Sequence, residues 1–231
     1  VAVAGALDQF AFRVANVLAG NQEGAAALEV TLLGPTLRFL TDTMIAITGA
    51  DLEPRLNDEP VPMWRTSIVL QGSTLSFGKT RDGMRAYVAI AGGIDVSPVL
   101  GSRSTHTRSR LGGLDGRSLR RGDRLLAFGV RPIPQRLLKN VPSDQVPKYK
   151  RHHLLRVVLG PQMDAFTCNG MRTFLSSTYT VTHHSDRVGY RYDGPPIQHK
   201  GAADIVSDGV PFGAIQVAGD GLPIIPVSYT H

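Results

Sequence analysis

The sequence predicts a mainly β protein with a few short helices. Its 231 residues include 25 glycines and 15 prolines, which indicate many turns. Apolar runs are short, and the run from Tyr87 to Ala91 is rich in residues that favour strands, so we expect a buried strand there. The clearest helix is predicted from Leu7 to Leu18, where apolar residues recur at intervals of three and four positions.

The other predicted elements are shorter. A helical turn is predicted at 22–28. The stretch Gln71–Thr80 resembles a phosphate-binding P-loop, but it has one residue too many between its glycines and leads into a turn, so it predicts a hairpin. Further strands are predicted at 29–33, 36–39, 44–48, 67–70, 154–159 and 178–183, and one more is expected between the turn Arg121–Asp123 and Phe128.

The chain is predicted to form two related lobes. Leu33-Gly34-Pro35 recurs as Leu159-Gly160-Pro161, and in both halves a short amphipathic segment and then strands are expected to follow. Residues 131–150 hold four prolines and no usable periodicity, which is typical of a linker. We therefore predict a first lobe at 1–131, a linker at 132–151 and a second lobe at 152–231.

Composition excludes several classes of protein. A hydrophobic content of 42% with 19% charged residues is that of a folded globular chain and not of a disordered one. No apolar run reaches the roughly 18 residues of a membrane span, so no membrane association is expected. Cys168 is the single cysteine and cannot form an internal disulfide, which favours a reducing, cytoplasmic compartment.

The net charge of +6 is concentrated in the region between Arg103 and Arg136. This region lacks a zinc-finger, helix-turn-helix or RNA-recognition pattern, so no nucleic-acid partner is expected. It predicts a surface for an anionic ligand or an acidic protein, with a merely solvated surface as the alternative. Only Asp115 and Asp123 oppose its nine arginines, which are Arg103, Arg108, Arg110, Arg117, Arg120, Arg121, Arg124, Arg131 and Arg136.

Two polar clusters follow predicted strands. The segment Gly101–Thr105 could present a guanidinium and hydroxyls to an anion or a carbonyl, and the alternative is an ordinary polar turn. The segment Ser185–Arg191 could form a charged pocket, and the alternative is a structural salt-bridge cluster. We expect the two clusters to face each other across the lobe junction. His183 and His184 are expected on opposite faces of a strand, which argues against a metal site.

Eight blocks of the chain, taken in order, resemble one protein family. They are Asn16–Asn21, Leu28–Pro35, Ile47–Asp51, Arg85–Asp95, Leu100–Thr105, Gly112–Arg117, Ser185–Arg191 and Gly213–Gln216. With these blocks the chain is similar, over nearly its whole length, to the allophanate hydrolase subunit 2 family. That family includes KipA, the C subunit of prokaryotic 5-oxoprolinase and the carboxyltransferase domain of urea carboxylase.

The resemblance implies two cyclophilin-like β-barrel lobes and one subunit of a hydrolase that acts on carbon–nitrogen bonds. Such a subunit pairs with a KipI-like subunit 1 and with a third, lactam-processing subunit, and the complex uses ATP to open a small amide or lactam such as 5-oxoproline. Two alternatives stay open. One is a carboxyltransferase module that works with biotin, as in urea carboxylase, and the other is a non-catalytic, KipA-type regulator of a kinase inhibitor.

The two polar clusters and the matching blocks together assign candidate site residues. Fixed positive groups would stabilise negative charge that develops on an amide or ureido oxygen. Catalytic roles are expected for Arg103, Asp186 and Arg187. Substrate contacts are expected for Asn16, Ser104, Thr105, Ser185, Arg191 and Gln216.

The chain departs from the family pattern at both ends. The family has a further segment before the position of Val1, and after the position of Ile225 it continues into an aspartate and a Thr-x-Gly-Gly-Tyr motif. Here Pro226–His231 ends the sequence. We therefore expect the C-terminal part of the second lobe to be missing from this chain.

Overall fold

A computed structural model describes residues 5–128, 138–149, 154–186, 189–203, 210–211 and 213–226. The chain divides into two units, one of Asp8–His153 and one of Leu154–His231 together with Val1–Leu7. The described helices are α1 (Gln9–Leu18) and α2 (Cys168–Ser176). The described strands are β1 (Leu28–Thr31), β2 (Leu37–Arg38), β3 (Thr43–Asp51), β4 (Arg55–Leu56), β5 (Glu59–Pro60), β6 (Thr66–Val69), β7 (Thr74–Ser76), β8 (Asp82–Ile90), β9 (Thr180–Val181), β10 (Gly189–Asp193), β11 (Gln216–Val217) and β12 (Pro223–Pro226).

These strands form three antiparallel, four-stranded sheets, which confirms the mainly β fold class. Their orders are β1-β8-β3-β6, β2-β7-β4-β5 and β11-β12-β10-β9. Each sheet keeps two edge strands, so the described strands do not close into the barrels that the resemblance implies.

Helix α1 forms where the apolar periodicity predicts it. It begins two residues late because Asp8 caps it, with the carboxylate accepting a hydrogen bond from the Ala11 N–H at 2.9 Å. Two hydroxyls of the first sheet bind the helix backbone: Thr48 donates to the Ala11 carbonyl and Thr66 to the Leu18 carbonyl, each at 2.7 Å. The helix is therefore fixed on the sheet by polar as well as apolar contacts.

The first sheet contains the predicted central strand. Residues 86–89 of β8 are buried, as their apolar run predicts, and β3 beside it is buried over most of its length. Ile45, Ile47 and Val88 form the middle of the core, where they lie out of contact with water. This strand leads at Gly92-Gly93 into the segment that carries Arg103.

Two local predictions in the first unit are wrong. Strand β7 lies within the predicted hairpin, but it pairs with β2 and β4, which lie far away in sequence, and not with a neighbouring strand. Residues 22–27 form turns and not a helical turn. The side-chain amide of Asn16 binds the carbonyls of Glu23 and Ala25, which holds this stretch in a bent conformation.

Part of the predicted linker is attached to the first unit. The N–H of Thr66 donates to the Lys139 carbonyl at 2.9 Å, and Asn140 bridges to Arg65 beside the edge strand β6. The Tyr149 hydroxyl donates to the Asp8 carboxylate at 2.7 Å. Residues 138–149 thus share hydrogen bonds with β6 and with the start of α1.

The second unit contains α2 and the strands β9 to β12. Thr167 caps α2, which lies where a short amphipathic segment is predicted after Pro161. The strand predicted at 178–183 is reduced to the two residues of β9, and the segment 154–159 is not a strand. Gly34-Pro35 leads into β2, whereas Gly160-Pro161 precedes a 3₁₀ turn and α2, so the predicted common local structure is absent at these two places.

None of the helices among the described residues combines the length and apolar composition of a membrane span.

Candidate functional site

The candidate residues fall into two groups, one in each unit. The unit Asp8–His153 carries Asn16, Arg103, Ser104 and Thr105. The other unit carries the cluster 185–191 and Gln216. Arg187 lies outside the described residues, so its catalytic role stays a prediction, as does the opposition of the two clusters.

Arg103 is exposed on the segment that follows Gly92-Gly93. Its Nε donates to the Val96 carbonyl at 3.1 Å, and its guanidinium carbon lies 5.8 Å from the centre of the Phe128 ring. These two contacts restrain the side chain. A guanidinium has five N–H donors, so most of them are still available to an anion or a carbonyl oxygen.

Ser104 and Thr105 are half-buried beside a glycine-rich turn. The Ser102 hydroxyl accepts from the Ser104 N–H at 3.1 Å, and the two serine hydroxyls lie 2.7 Å apart. Gly113 has a φ of +55°, and a Cβ there would overlap the Thr105 hydroxyl. The turn can therefore approach these hydroxyls only because it contains glycine.

Arg117 is occupied by its own loop. Its guanidinium donates to both carboxylate oxygens of Asp123, at 2.7 and 2.9 Å, and to Asp115 at 3.3 Å. Hydrogen bonding to Arg117 lowers the pKa of Asp123 from 3.8 to about 2. This arginine stabilises the loop and is not a free cation for a ligand.

Asn16 is completely buried, which the sequence patterns do not anticipate. Its Nδ2 donates to the Ala25 carbonyl at 2.9 Å and to the Glu23 carbonyl at 3.2 Å, and its Oδ1 accepts from Asn21. These bonds give the Asn16 side chain a structural role. The substrate contact of Asn16 stays a prediction.

Asn21, the last residue of the family block Asn16–Asn21, is a positioning residue. Its Oδ1 accepts from the Gly92 N–H at 2.8 Å, and its Nδ2 donates to the Ile90 carbonyl at 2.9 Å. Gly92 and Gly93 both have positive φ angles, 90° and 77°. Asn21 thus braces the turn that connects the buried strand to the Arg103 segment, and its place in the family block Asn16–Asn21 is the signal that could have drawn attention to it.

Ser185 and Asp186 shape the hairpin that enters β10. The Ser185 hydroxyl accepts from the Arg191 N–H at 2.9 Å and donates to the Arg191 carbonyl at 3.1 Å. Asp186 accepts through its side chain from the Gly189 N–H at 3.2 Å, and its own N–H donates to the Gly189 carbonyl at the same distance. Both residues hold the backbone on which Arg191 sits.

Arg191 and Gln216 lie in one row across the sheet of the second unit. Ile224 of β12 is paired with Arg191 on one side and with Gln216 on the other. Residues that pair across antiparallel strands point to the same face, so the two polar side chains share a face. Both residues are exposed. We call Gln216, Ile224 and Arg191 the polar row.

Asp193 extends this polar face. It lies two residues after Arg191 on β10, and alternation along a strand places both on the same side of the sheet. Asp193 is not among the residues selected from the sequence, although its spacing from Arg191 is the signal that could have found it. The face thus combines an arginine, an amide and a carboxylate.

The two adjacent histidines do not point apart as predicted. Strand β9 ends at Val181, and His183 and His184 lie in a turn with their ring centres 3.9 Å apart. The prediction is wrong because the alternation of a strand does not apply in a turn. Within the described ranges, no three His, Cys, Asp or Glu residues are grouped as a metal site would require.

Residues 1–228 match the family described as carboxyltransferase domain, subdomain A and B. The C subunit of 5-oxoprolinase from Escherichia coli (strain K12) is 38% identical over 222 residues, which cover 96% of this chain and 69% of that protein. The urea amidolyase of Saccharomyces cerevisiae (strain ATCC 204508 / S288c) is 38% identical over 201 residues, 83% of this chain and 11% of that protein.

A solved structure is similar in fold as well as in sequence. The crystal structure of TTHA0988 superimposes with a TM-score of 0.83 at 33% identity, and the match covers 99% of this chain. The chain spans 43% of the length of that solved chain.

Proposed function

We propose that this chain, which belongs to the carboxyltransferase domain, subdomain A and B, family, is one subunit of an ATP-dependent complex that opens a small amide or lactam. The observation that carries the proposal is the polar row on the sheet of the second unit. Arg191 and Gln216 both offer N–H donors there, and both are exposed to a ligand.

The spacing of the polar row suits a small substrate. Adjacent strands lie about 4.8 Å apart, so the backbones of Arg191 and Gln216 are separated by roughly 10 Å. Their long side chains can reach toward each other over Ile224, whose apolar side chain would contact the carbon skeleton of a ligand. Arg191 would then bind an oxygen that becomes negatively charged, and the Gln216 amide would hold a second polar group.

The rigid base under Arg191 supports this role. A donor accelerates a reaction best when it is already placed where charge develops. The Ser185 hydroxyl binds the Arg191 backbone on both sides, and β9 and β12 flank β10. We propose Arg103, with Ser104 and Thr105, as a second group of donors in this function.

The names of the relatives supply the substrate class. The curated relatives from Escherichia coli and Haemophilus influenzae are both 5-oxoprolinase subunits. We infer 5-oxoproline as the substrate, with water added across its carbon–nitrogen bond to give glutamate. The proposed complex also requires ATP, a KipI-like subunit 1 and a lactam-processing subunit, and we place it in the cytoplasm.

A carboxyltransferase activity is the second candidate because the yeast urea amidolyase shows the same 38% identity over 83% of the chain. In that case the polar row would bind a ureido group, and biotin would be needed on another chain or domain.

Comparing the two substrates in one assay separates the candidates. The chain is co-expressed with its KipI-like and lactam-processing subunits, and the purified complex receives ATP with either 5-oxoproline or urea. We expect glutamate from 5-oxoproline and no carboxylation of urea. Carboxylation of urea after addition of a biotin carboxylase and a biotinylated carrier, without glutamate formation, would favour the second candidate.

A further inference from the structure

We propose that an exposed basic turn of the first unit is the docking surface for an acidic face of the partner subunit. This basic turn surface consists of Arg120, Arg121, Arg124, Leu126 and Phe128. The inference rests on the proposed function, because it assigns a place on this chain to the KipI-like member of the complex.

Three arginines of this surface form no ion pair within the described part of the chain. Residues 99–128 contain seven arginines and two aspartates, and Arg117 binds both aspartates. Arg120, Arg121 and Arg124 are exposed, and none of them forms an ion pair with another described residue. Three like charges within five residues repel one another, and an acidic protein face would relieve that repulsion.

The turn is held in one conformation before any partner binds. The Asp123 carboxylate accepts from the Arg120 N–H at 2.7 Å, and the Asp123 N–H donates to the Arg120 carbonyl at 3.1 Å. The bidentate contact with Arg117 holds the same carboxylate. A preformed turn loses little conformational entropy on binding, which favours docking.

Residues 125–128, which follow the turn, are also attached to the unit, and Ala127 forms a single β-bridge with Ile94. The Leu126 carbonyl accepts from Asp95 at 2.7 Å, and the Phe128 N–H donates to Gly93 at 3.0 Å. Arg124 and Leu126 are both exposed, and Leu125 between them is half-buried.

Exposed apolar side chains identify a protein as the occupant. Leu126 is 71% exposed and Phe128 is 46% exposed, although both side chains would gain free energy by leaving water. A small anion or a nucleic-acid backbone would bind the arginines without covering these side chains. Arginine and aromatic residues together are enriched in protein–protein interfaces.

The test measures the affinity of the full chain for the purified KipI-like subunit. The double variant Arg120→Glu/Arg121→Glu reverses two charges of the basic turn surface, and the control Arg13→Glu/Arg38→Glu makes the same change on α1 and β2 of the same unit. We expect the first variant to bind roughly 10- to 100-fold more weakly and the control to bind like the unaltered chain. Arg120→Lys/Arg121→Lys should bind within a few-fold of the unaltered chain, since the charge is kept.

A second variant separates protein docking from simple anion binding. Leu126→Ser should weaken subunit binding at low and at high salt, whereas it should leave binding to heparin unchanged. If Arg120→Glu/Arg121→Glu loses heparin binding but keeps full affinity for the subunit, the proposed docking surface is wrong. Equal weakening in the Arg13→Glu/Arg38→Glu control would overturn it as well. Failure of the unaltered chain to bind the subunit would instead contradict the proposed function.

Discussion

Gln216 and Arg191 lie opposite the same residue, Ile224, on the two sides of strand β12, and so share one face of the sheet. They are 25 residues apart in sequence, and only the sheet register brings them into one row. This row is the structural basis of the proposed activity, because it places two donors at a distance that one small ligand can span.

The first prediction concerns the guanidinium of Arg191. Replacing Arg191 with alanine removes a fixed donor from an exposed position, so we expect turnover of the reconstituted complex to fall by roughly 100-fold, as loss of one such donor commonly costs about 3 kcal/mol. The Tm should stay nearly unchanged. Arg172→Ala removes the same charge from α2 of the same unit and should keep full turnover. A large fall in Tm for Arg191→Ala with normal turnover per folded molecule would assign Arg191 a structural role instead.

The second prediction concerns the buried amide of Asn16. Asn16→Leu leaves the carbonyls of Glu23 and Ala25 without their donor, which should cost about 3 kcal/mol of stability and lower the Tm by roughly 10 °C. Gln22→Leu changes an exposed amide nearby and should have little effect on thermal unfolding. If the Asn16→Leu protein melts normally but has lost substrate affinity, the result would contradict the structural role and support the predicted substrate contact of Asn16.

The third prediction concerns the thermal stability of the chain at low pH. Hydrogen bonding to Arg117 holds the pKa of Asp123 at about 2, below its ordinary value of 3.8, so Asp123 stabilises the fold above about pH 4 and this contribution is lost as the pH falls toward 2. Thermal unfolding at several pH values should show a higher Tm for the unaltered chain than for Asp123→Asn at pH 7. The difference should shrink between pH 4 and pH 2. A difference that is constant over this range would contradict the assigned ion pair.

The fourth prediction concerns the glycine turn beside Thr105. Gly113→Ala forces a Cβ into the Thr105 hydroxyl and should lower both the Tm and the turnover of the complex, because the half-buried hydroxyls must move. Gly72→Ala is the matched control: its φ is +86°, but no atom lies within 4 Å of the added Cβ. It should lose about 1 kcal/mol from backbone strain alone and keep its turnover. Equal losses of turnover in the two variants would show that packing against Thr105 is unimportant.

Short-range patterns in the sequence correctly predict helix α1 and the buried part of strand β8. Helix α1 has a strong apolar period and an aspartate cap, and residues 87–89 of the apolar run 87–91 are buried because their side chains are apolar on both faces. The eight family blocks correctly identify the family, since the order of many short blocks is more specific than any one of them.

Predictions from the sequence fail where distant residues decide the outcome. Turn residues in 71–80 suggest a local hairpin, but β7 pairs with β2 and β4, and Leu37, Leu56 and Leu75 of these strands pack in one hydrophobic cluster. Asn16 is selected because it lies in a family block, and only the tertiary fold shows that its amide binds neighbouring backbone. Likewise, no short-range pattern separates Arg117, which is paired with Asp123, from the exposed arginines around it.

The most direct test of the proposed function is the rate of glutamate formation from 5-oxoproline and ATP in three preparations: the isolated chain, the other two subunits without it, and the full complex. We expect no turnover from the first two and full turnover from the third, because the polar row supplies donors that the other subunits would lack. Unchanged turnover by the other two subunits without this chain would contradict the proposed function, and so would full turnover by the isolated chain.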